Sequence, residues 1–187
     1  MNDKKQNRRE DIVEKANRLI YTKGFNQTSF ADIADELGIT KGNLHYHFNS
    51  KDELLQAVIT FREDIINKNL AQWDEEFPDP KDKLKRFVQM MLNEEKDLER
   101  YGCPVGSLNM ELGKNQQAMQ EKSRVLFDLF LNWIEKTLKQ LGKKNSKSLS
   151  RHLMAMAQGA SLMTYVYADK KLLKDESINI LDWIESQ

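Results

Sequence analysis

The segment TKGNLHYHF, residues 40–48, contains the side chains of this chain that are best suited to chemistry. Its histidines, His45 and His47, stand two positions apart, a spacing at which a strand would point both at one metal ion. In a helix each residue turns by about 100°, so the two rings point about 200° apart and cannot share an ion. The neighbouring caps and the helical spacing of the apolar residues favour a helix. We therefore expect no metal site in this segment and no cofactor.

Catalysis at these histidines is also not expected. No serine, cysteine or carboxylate stands at a spacing that would complete a nucleophile and base pair with them, although distant residues could still converge there. The rest of the chain contains no paired catalytic carboxylates and no glycine loop that would cradle a phosphate. Two interpretations stay open: the histidines are ordinary exposed polar residues of a short helix, or they face a partner.

Three helices are predicted before residue 50. The first ends near Gly24, and Thr28 or Ser29 caps a second helix of about two turns. Gly38 ends this second helix, and Thr40 caps a third at once. Two short helices joined by a tight turn that contains glycine form a helix-turn-helix. The apolar stripes of the first two helices are Ile12, Val13, Ala16, Leu19, Ile20, Phe30, Ile33, Ala34 and Leu37.

The third helix turns polar and small residues away from the core. Leu44 and Phe48, one turn apart, mark its buried side. Tyr46 lies opposite them and is flanked by Gly42 and Asn43, so this side carries a ring, an amide and a bare stretch of backbone. Such a surface suits contact with a partner molecule.

The start of a fourth helix indicates the kind of partner. Ser50 and Glu53 are spaced as a capping box, yet Lys51 lies in the first turn, where the helix dipole disfavours a cation. A bound phosphate would remove this conflict. The amides and hydroxyls at the helix starts near Thr28 and Thr40 would also be available to a nucleic-acid backbone.

Composition and charge limit the cellular setting. The 187 residues carry no net charge, so a nucleic-acid partner would have to be held by cations at particular positions. No apolar run reaches the roughly 20 residues of a membrane span, and the N-terminus lacks an apolar signal core. The single cysteine, Cys103, cannot form an internal disulfide, which fits a reducing compartment. We expect a cytoplasmic protein with no membrane partner.

The order of these features is similar to that of a known family. The run FADIADELGITKGNLHYHFNSKDELL, which follows Gly24, Phe25 and Thr28, closely resembles the DNA-binding domain of the TetR family of transcriptional regulators. The resemblance implies a three-helix domain, residues 1–50, whose third helix enters the major groove of double-stranded operator DNA. The implied contacts are base edges and adjacent backbone for Thr40, Lys41, Gly42 and Asn43, operator choice for His45, phosphates for Tyr46, His47 and Lys51, and backbone for Thr28 and Ser29.

A second, helical domain is predicted for residues 51–187, which makes the whole chain all-α with about nine helices. Its first helix runs from the capping box to about residue 76, where Pro78 and Pro80 follow. A loop is expected at 101–107, where two glycines and a proline interrupt the helical pattern. The remaining helices are predicted over 81–98, 108–112, 125–138, 148–168 and 178–184.

In the TetR family this second domain binds a small molecule and pairs with its symmetry mate as a homodimer. The helix at about 148–168 carries small residues that suit close packing, either against a second copy or only within the chain. Apolar and methionine-rich side chains suit an adaptable pocket for hydrophobic compounds, although each could equally be plain core. The small residues are Ala155, Ala157, Gly159, Ala160 and Ser161, and the pocket candidates are Phe87, Met90, Met91, Cys103, Met110, Phe127, Phe130 and Tyr165.

Cys103 allows three interpretations. It lies in a glycine and proline loop and not on an apolar helical face, so it could meet an electrophile or oxidant. The segment GCPVGSLNMEL looks like the loop through which some TetR-like regulators sense reactive electrophiles. An inert buried thiol and a pocket-lining residue are the other two interpretations.

These features predict a ligand-responsive transcriptional regulator that is not an enzyme. We expect a homodimer that represses transcription from a palindromic operator and that a small hydrophobic or electrophilic inducer releases. Activation instead of repression stays open, as does the identity of the inducer. The rival classes are an enzyme built on the helical body and a helical adaptor that has lost DNA recognition.

Overall fold

The structure, a computed structural model, describes the backbone of residues 2–187 and the side chains of 7–114 and 116–187. This part of the chain forms 11 helices and no strand, which confirms the all-α class. Among the described residues, no helix combines the length and the apolar character needed to span a bilayer. The helices are α1 (Asn2–Lys23), α2 (Phe30–Leu37), α3 (Lys41–His47), α4 (Lys51–Glu76), α5 (Pro80–Asn93), α6 (Glu95–Tyr101), α7 (Pro104–Asn115), α8 (Gln117–Ser123), α9 (Val125–Gln140), α10 (Ser146–Tyr167) and α11 (Lys170–Glu185).

The end of α1, both ends of α2 and the start of α3 lie at capping residues that the sequence predicts. Of the two candidate caps of α2, Ser29 is the N-cap: its hydroxyl accepts from the amide of Asp32, and the Asp32 carboxylate accepts from the amide of Ser29 at 2.8 Å. Gly38 ends α2 with a φ of 63°, the left-handed conformation that glycine adopts without strain. Thr40 caps α3 by accepting from the amide of Asn43 at 3.2 Å. The predicted helix-turn-helix is present.

Helix α4 begins where the sequence predicts, but its capping box is displaced by one residue. The hydroxyl of Ser50 accepts from the amide of Glu53 at 3.1 Å. The carboxylate of Glu53 accepts from the amide and the side chain of Asn49, both at 2.9 Å, and not from Ser50. Further along α4, the buried side chain of Arg62 donates to Asn17 of α1 at 2.6 Å, which ties the two helices together.

The structure has two more helices than the nine expected. Glu94 divides the helix predicted over 81–98 into α5 and α6, and α8, which Arg124 separates from α9, was not predicted. The loop expected at 101–107 is much shorter than predicted, since α6 ends at Tyr101 and α7 already begins at Pro104. Proline has no amide hydrogen and a fixed φ, which suits the first position of a helix. The last helix starts earlier than predicted, because the side chain of Asp169 caps α11.

The chain divides into two compact units. One consists of the chain as far as Ile65 together with Ser107–Leu126, and the other of Ile66–Gly106 with Phe127–Gln187. Burial of each large side chain contributes roughly 1.5–3 kcal/mol to the stability of its unit. A domain boundary after residue 50 stays a prediction. The fully buried large side chains include Phe25, Phe48, Ile12, Ile33, Leu44, Leu54, Leu55, Ile59, Leu112 and Leu126 in the first unit, and Leu84 and Ile134 in the second.

Helix α10 carries small or apolar residues on two sides. Ala157, Ala160 and Ser161 are buried within the second unit, whereas Ala155 and Gly159 are exposed. The small residues therefore do not act as one packing surface: three of them pack within the chain, and contact of the other two with a second copy stays a prediction. The exposed side, which we call the exposed apolar stripe, consists of Ala155, Gly159, Leu162, Met163, Val166 and Tyr167.

Candidate DNA-binding surface

The outer side of α3 has the arrangement predicted from helical angles. Leu44 is fully buried, whereas Tyr46 is 66% exposed on the opposite side with Asn43 beside it. A Cβ added at Gly42 would meet only the hydroxyl of Thr40, at 3.9 Å, so the backbone at Gly42 is open to close approach. We call Gly42, Asn43 and Tyr46 the exposed ridge. The predicted DNA-contacting residues that lie exposed on α3 and its cap are Thr40, Lys41, Gly42, Asn43, His45 and Tyr46.

The two histidines have different surroundings. The exposed ring of His45 lies 4.8 Å from the ring of Phe30 in α2, measured between centroids. His47 is half-buried, and its ring meets that of Tyr46 edge to face at 5.3 Å. The imidazoles do not share a site. Across the residues whose side chains are described, no group of three or more His, Cys, Asp and Glu is placed to hold a metal ion.

The start of α2 carries two predicted backbone-contacting residues, and one of them is buried. Thr28 is 1% exposed, and its hydroxyl donates to the carbonyl of Gly24 at 2.7 Å. This hydroxyl is buried and bonded within the chain, so the side chain of Thr28 supports the loop before α2, and contact of Thr28 with the DNA backbone stays a prediction. Ser29 is exposed, and its hydroxyl and amide donate to Asp32. These hydrogen bonds lower the pKa of Asp32 from 3.8 to about 2, against the opposing effect of desolvation.

Lys51 lies at the start of α4 and turns back over the loop between α1 and α2. Its ammonium is 4.2 Å from the centroid of the Phe25 ring and donates to the carbonyl of Asn26 at 3.4 Å. Desolvation lowers the pKa of Lys51, and the negative charge of Glu111 opposes this shift. The ammonium of Lys51 thus has partners within the chain, the Phe25 ring and the Asn26 carbonyl. Relief of the dipole conflict by a bound phosphate, and contact of Lys51 with DNA, stay predictions.

Comparison with known proteins identifies the family. Residues 12–58 match the bacterial regulatory proteins of the tetR family, and residues 80–177 match the C-terminal domain of LmrA/YxaF-like transcriptional regulators. The chain belongs to the TetR family. An uncharacterized HTH-type transcriptional regulator of the lacX 3′ region of Lactococcus lactis subsp. lactis is 30% identical over 90% of this chain and 89% of that protein.

Two further relatives agree with this identification. The HTH-type transcriptional regulator LmrA of Bacillus subtilis is 27% identical over 83% of this chain and 85% of that protein. A TetR transcriptional regulator from Legionella pneumophila superposes with a TM-score of 0.83 at 28% identity, covering 91% of this chain and 94% of that chain. The chain is thus a transcriptional regulator of the TetR family and not an enzyme.

The pocket candidates of this TetR-family chain differ in their burial. Phe87 and Met91 are buried, and the rings of Phe87 and Phe130 pack at 5.7 Å, which is ordinary core packing. Met110 is 65% exposed, and Tyr165 is also exposed. Met90, Phe127 and Phe130 are half-buried, and their contact with a ligand stays a prediction. A surface depression of about 540 Å³ lies instead along a polar side of α9, lined by Asn132, Glu135, Lys136, Lys139 and Gln140.

Cys103 immediately precedes α7 and is half-buried, and its interpretation as an inert buried thiol stays a prediction. Its sulfur accepts from the amide of Gly106 and from the side-chain amide of Gln158 in α10, both at 3.4 Å. A Cβ added at Gly106 would lie 2.6 Å from the Gln158 oxygen, so the start of α7 and α10 are in close contact. The sensing and pocket-lining interpretations remain predictions.

Sequence reasoning missed two carboxylates that shape the DNA-binding unit. Asp32 completes the capping box of α2, and its spacing of three residues from Ser29 was the signal that could have revealed it. Glu111 of α7 accepts hydrogen bonds from the amides of Phe25 and Asn26, at 2.8 and 2.6 Å. These partners are 86 and 85 residues apart in sequence, and no local pattern indicates the contact.

Proposed function

We propose that this TetR-family regulator is a cytoplasmic repressor that binds a palindromic operator as a homodimer. A small hydrophobic or electrophilic inducer would release it from double-stranded DNA. The observation that carries the proposal is the exposed ridge, which presents open backbone, an amide and a ring on the outer side of the second helix of a helix-turn-helix. In this motif the second helix enters the major groove.

The side chains around the ridge divide into two kinds of contact. The amide of Asn43 can bond two atoms of an adenine edge, and the imidazole of His45 can donate to or accept from a base. The hydroxyl of Tyr46 and the ammonium of Lys51 suit phosphate oxygens, which carry no sequence information. We therefore expect Asn43 and His45 to choose the operator sequence, and Tyr46 and Lys51 to contribute to affinity for any duplex.

The exposed apolar stripe of α10 supports the homodimer. Clustered exposed apolar side chains are uncommon on monomers and typically mark an interaction surface. Gly159 lies in the stripe, and a Cβ built there would meet no atom within 4 Å, so a second helix could approach closely. Ile178 on α11 is exposed as well. Two copies paired through α10 and α11 would present two copies of α3, as a palindrome requires.

Release would follow if an inducer bound better to an arrangement that does not fit the operator. A coupling of about 1 to 3 kcal/mol lowers operator affinity by roughly 5- to 150-fold, and the inducer need not touch DNA. Cys103 is the residue at which an electrophile would act, because it is half-buried and not enclosed, and its sulfur is hydrogen-bonded between α7 and α10. A hydrophobic inducer would have to open space beside Phe130, where the described side chains are packed.

The test is selection of an operator from random duplex DNA, followed by fluorescence anisotropy titrations of the selected and a scrambled duplex across a range of salt concentrations. The expected result is a preference of about 10³-fold or more for the selected duplex at physiological salt, in the range of specific regulators. Equal affinity for the selected and scrambled duplexes would contradict the proposal.

Matched variants test the division of contacts. Replacing Lys51 by Met should weaken binding to all duplexes and reduce the salt slope by about one, whereas Lys68→Met, at an exposed position later in α4, should do neither. Replacing Asn43 or His45 by Ala should change which duplex is selected. If the Lys51, Asn43 and His45 variants all lose affinity equally for every sequence, the division into sequence-reading and phosphate-binding residues is wrong, even if the protein binds an operator.

A further inference from the structure

Glu111 presents an acidic side chain to the unit that must bind a polyanion. We infer that Glu111 is a positioning residue for operator binding. Its carboxylate fixes the loop between α1 and α2. Through that loop it also fixes the start of α2, including Phe30, against which the ring of His45 packs. This inference rests on the proposed function, because it concerns affinity for the operator. It assigns a role in DNA binding to a residue of α7, outside the helix-turn-helix.

The contacts of Glu111 are directed at main-chain donors. One carboxylate oxygen accepts from the amide of Phe25 at 2.8 Å and the other from the amide of Asn26 at 2.6 Å. Hydrogen bonds to an ionised acceptor are shorter and roughly twice as strong as those between neutral groups. Two such bonds from one rigid carboxylate fix both the position and the orientation of this peptide segment.

The loop is shaped to receive this carboxylate. Gly24 has a φ of 90°, a left-handed conformation that side chains rarely adopt, and a Cβ built there would lie 3.2 and 3.3 Å from the two oxygens of Glu111. A glycine thus provides both the turn and the space. The ring of Phe25, which follows, is buried in the core of the same unit, so the loop is anchored from inside as well.

Three side chains hold the loop, and Glu111 is the one that does not belong to the first 65 residues. Thr28 donates to the carbonyl of Gly24, and Lys51 donates to the carbonyl of Asn26. Glu111 occupies the two intervening amides. The carbonyl acceptors and amide donors of the loop at these residues are therefore bonded within the protein. The loop thus has a defined conformation where it leads into α2.

A path of direct contacts leads from this loop to the DNA-reading helix. Ser29, three residues after Asn26, is the N-cap of α2, and Phe30 is the first residue of that helix. The ring of Phe30 lies 4.8 Å from the ring of His45. A loop that is no longer held by Glu111 would loosen the start of α2 and with it the surface on which His45 rests.

The experiment compares Glu111→Gln with Glu121→Gln, a matched control that removes one negative charge from an exposed position of α8 in the same unit. If only the loss of one negative charge mattered, both variants would bind DNA at least as tightly as the unchanged protein. The positioning role predicts the opposite for Glu111→Gln, because an amide nitrogen would face one of the two main-chain donors. We expect a loss of operator affinity of about tenfold, within the usual range of coupling between separated sites.

Two further measurements separate positioning from general damage to the fold. Amide hydrogen exchange at Phe25 and Asn26 should quicken in Glu111→Gln and stay unchanged in Glu121→Gln, while circular dichroism shows both variants folded. Glu111→Asp keeps the charge on a side chain one methylene shorter and should recover part of the lost affinity. If Glu111→Gln does not fold, the comparison of Glu111→Asp with the unchanged protein carries the test.

The outcomes distinguish this inference from the proposed function. If the unchanged protein prefers a selected operator and Glu111→Gln binds it as tightly as Glu121→Gln does, Glu111 has no positioning role and the proposed function stands. The role is also refuted if affinity falls without faster exchange at the two amides. If the unchanged protein shows no operator preference, the proposed function is overturned, and the role of Glu111 in operator binding with it.

Discussion

Replacing Gly42 by Ala should move stability and operator affinity in opposite directions. The residue lies in the first turn of α3, and the added Cβ would meet only Thr40, at 3.9 Å, an ordinary van der Waals distance. Alanine loses less backbone freedom than glycine on entering a helix, so we expect a gain of roughly 0.5 kcal/mol in the free energy of unfolding. For a chain of this length that is a rise of about 1–2 °C in Tm.

Operator affinity should fall, because the same methyl group stands on the exposed ridge. It would keep the DNA about 1.5 Å further from the backbone, which lengthens a hydrogen bond of about 2.9 Å, such as one from Asn43 to a base, beyond its useful range. A good base contact is worth about 1–3 kcal/mol of discrimination. Loss of one contact in each half-site therefore predicts a decrease of about tenfold per half-site, and about a hundredfold for a dimer.

The assay for Gly42→Ala pairs thermal unfolding with anisotropy titration of the selected operator. Asn67→Ala is the control, since it gives a similar gain in helix propensity at an exposed position of α4. Both variants should have a slightly higher Tm than the unchanged protein, and only Gly42→Ala should bind the operator more weakly. If Gly42→Ala binds the operator as tightly as Asn67→Ala does, DNA does not approach this backbone and the ridge is misassigned.

Three other perturbations have defined outcomes. Asp32→Asn should lower the free energy of unfolding above pH 4. The difference in this free energy between the variant and the unchanged protein should vanish as pH falls from 3.8 to about 2. The reason is that the bonds from Ser29 depress the folded pKa of Asp32, and their contribution is lost when Asp32 is protonated. Urea unfolding at a series of pH values measures this. Val166→Glu should convert a dimer into monomers in sedimentation equilibrium, because it places a charge in the exposed apolar stripe. Asp74→Asn should cost about 1–3 kcal/mol in urea unfolding, because Asp74 accepts from Trp133 at 3.2 Å and pairs with the buried Lys83 at 3.0 Å.

The helix-turn-helix could be predicted because its signals are local. A cap such as Thr40 and a left-handed glycine such as Gly38 act within one helical turn, so the sequence contains all the groups involved. The direction of Tyr46 followed from Leu44 by helical geometry alone. The displaced capping box at Ser50 shows the limit of such reasoning, because Asn49 and Ser50 both offer an amide to Glu53 and their local geometry decides between them.

The supports of the site could not be predicted, because they depend on contacts distant in sequence. Lys51 looked unfavourable at the start of α4 until the structure placed Phe25 and the Asn26 carbonyl beneath it. Glu111 meets the same loop from α7, with no local sign of its partner. Likewise, the pocket candidates were chosen for side-chain type. Type alone does not determine whether a residue lines a pocket, since Phe87 is buried in the core and Met110 is exposed.

The acidic residues near the helix-turn-helix explain why a count of charges is a poor guide to this DNA-binding surface. The Asp32 carboxylate accepts from the amide of Ser29, and the Ser29 hydroxyl accepts from the amide of Asp32, so a phosphate approaching there would meet a carboxylate and two amides already in use. Glu111 occupies the amides of the preceding loop. These four amides are therefore used to fix the local shape, and we expect affinity for DNA to come from the exposed side of α3 and from Lys51. On this view, neutralising Asp32 opens the start of α2 to phosphate. The scrambled duplex, which does not depend on the exact placement of His45, should then bind Asp32→Asn more tightly, and unchanged affinity for it would show that DNA does not reach the start of α2.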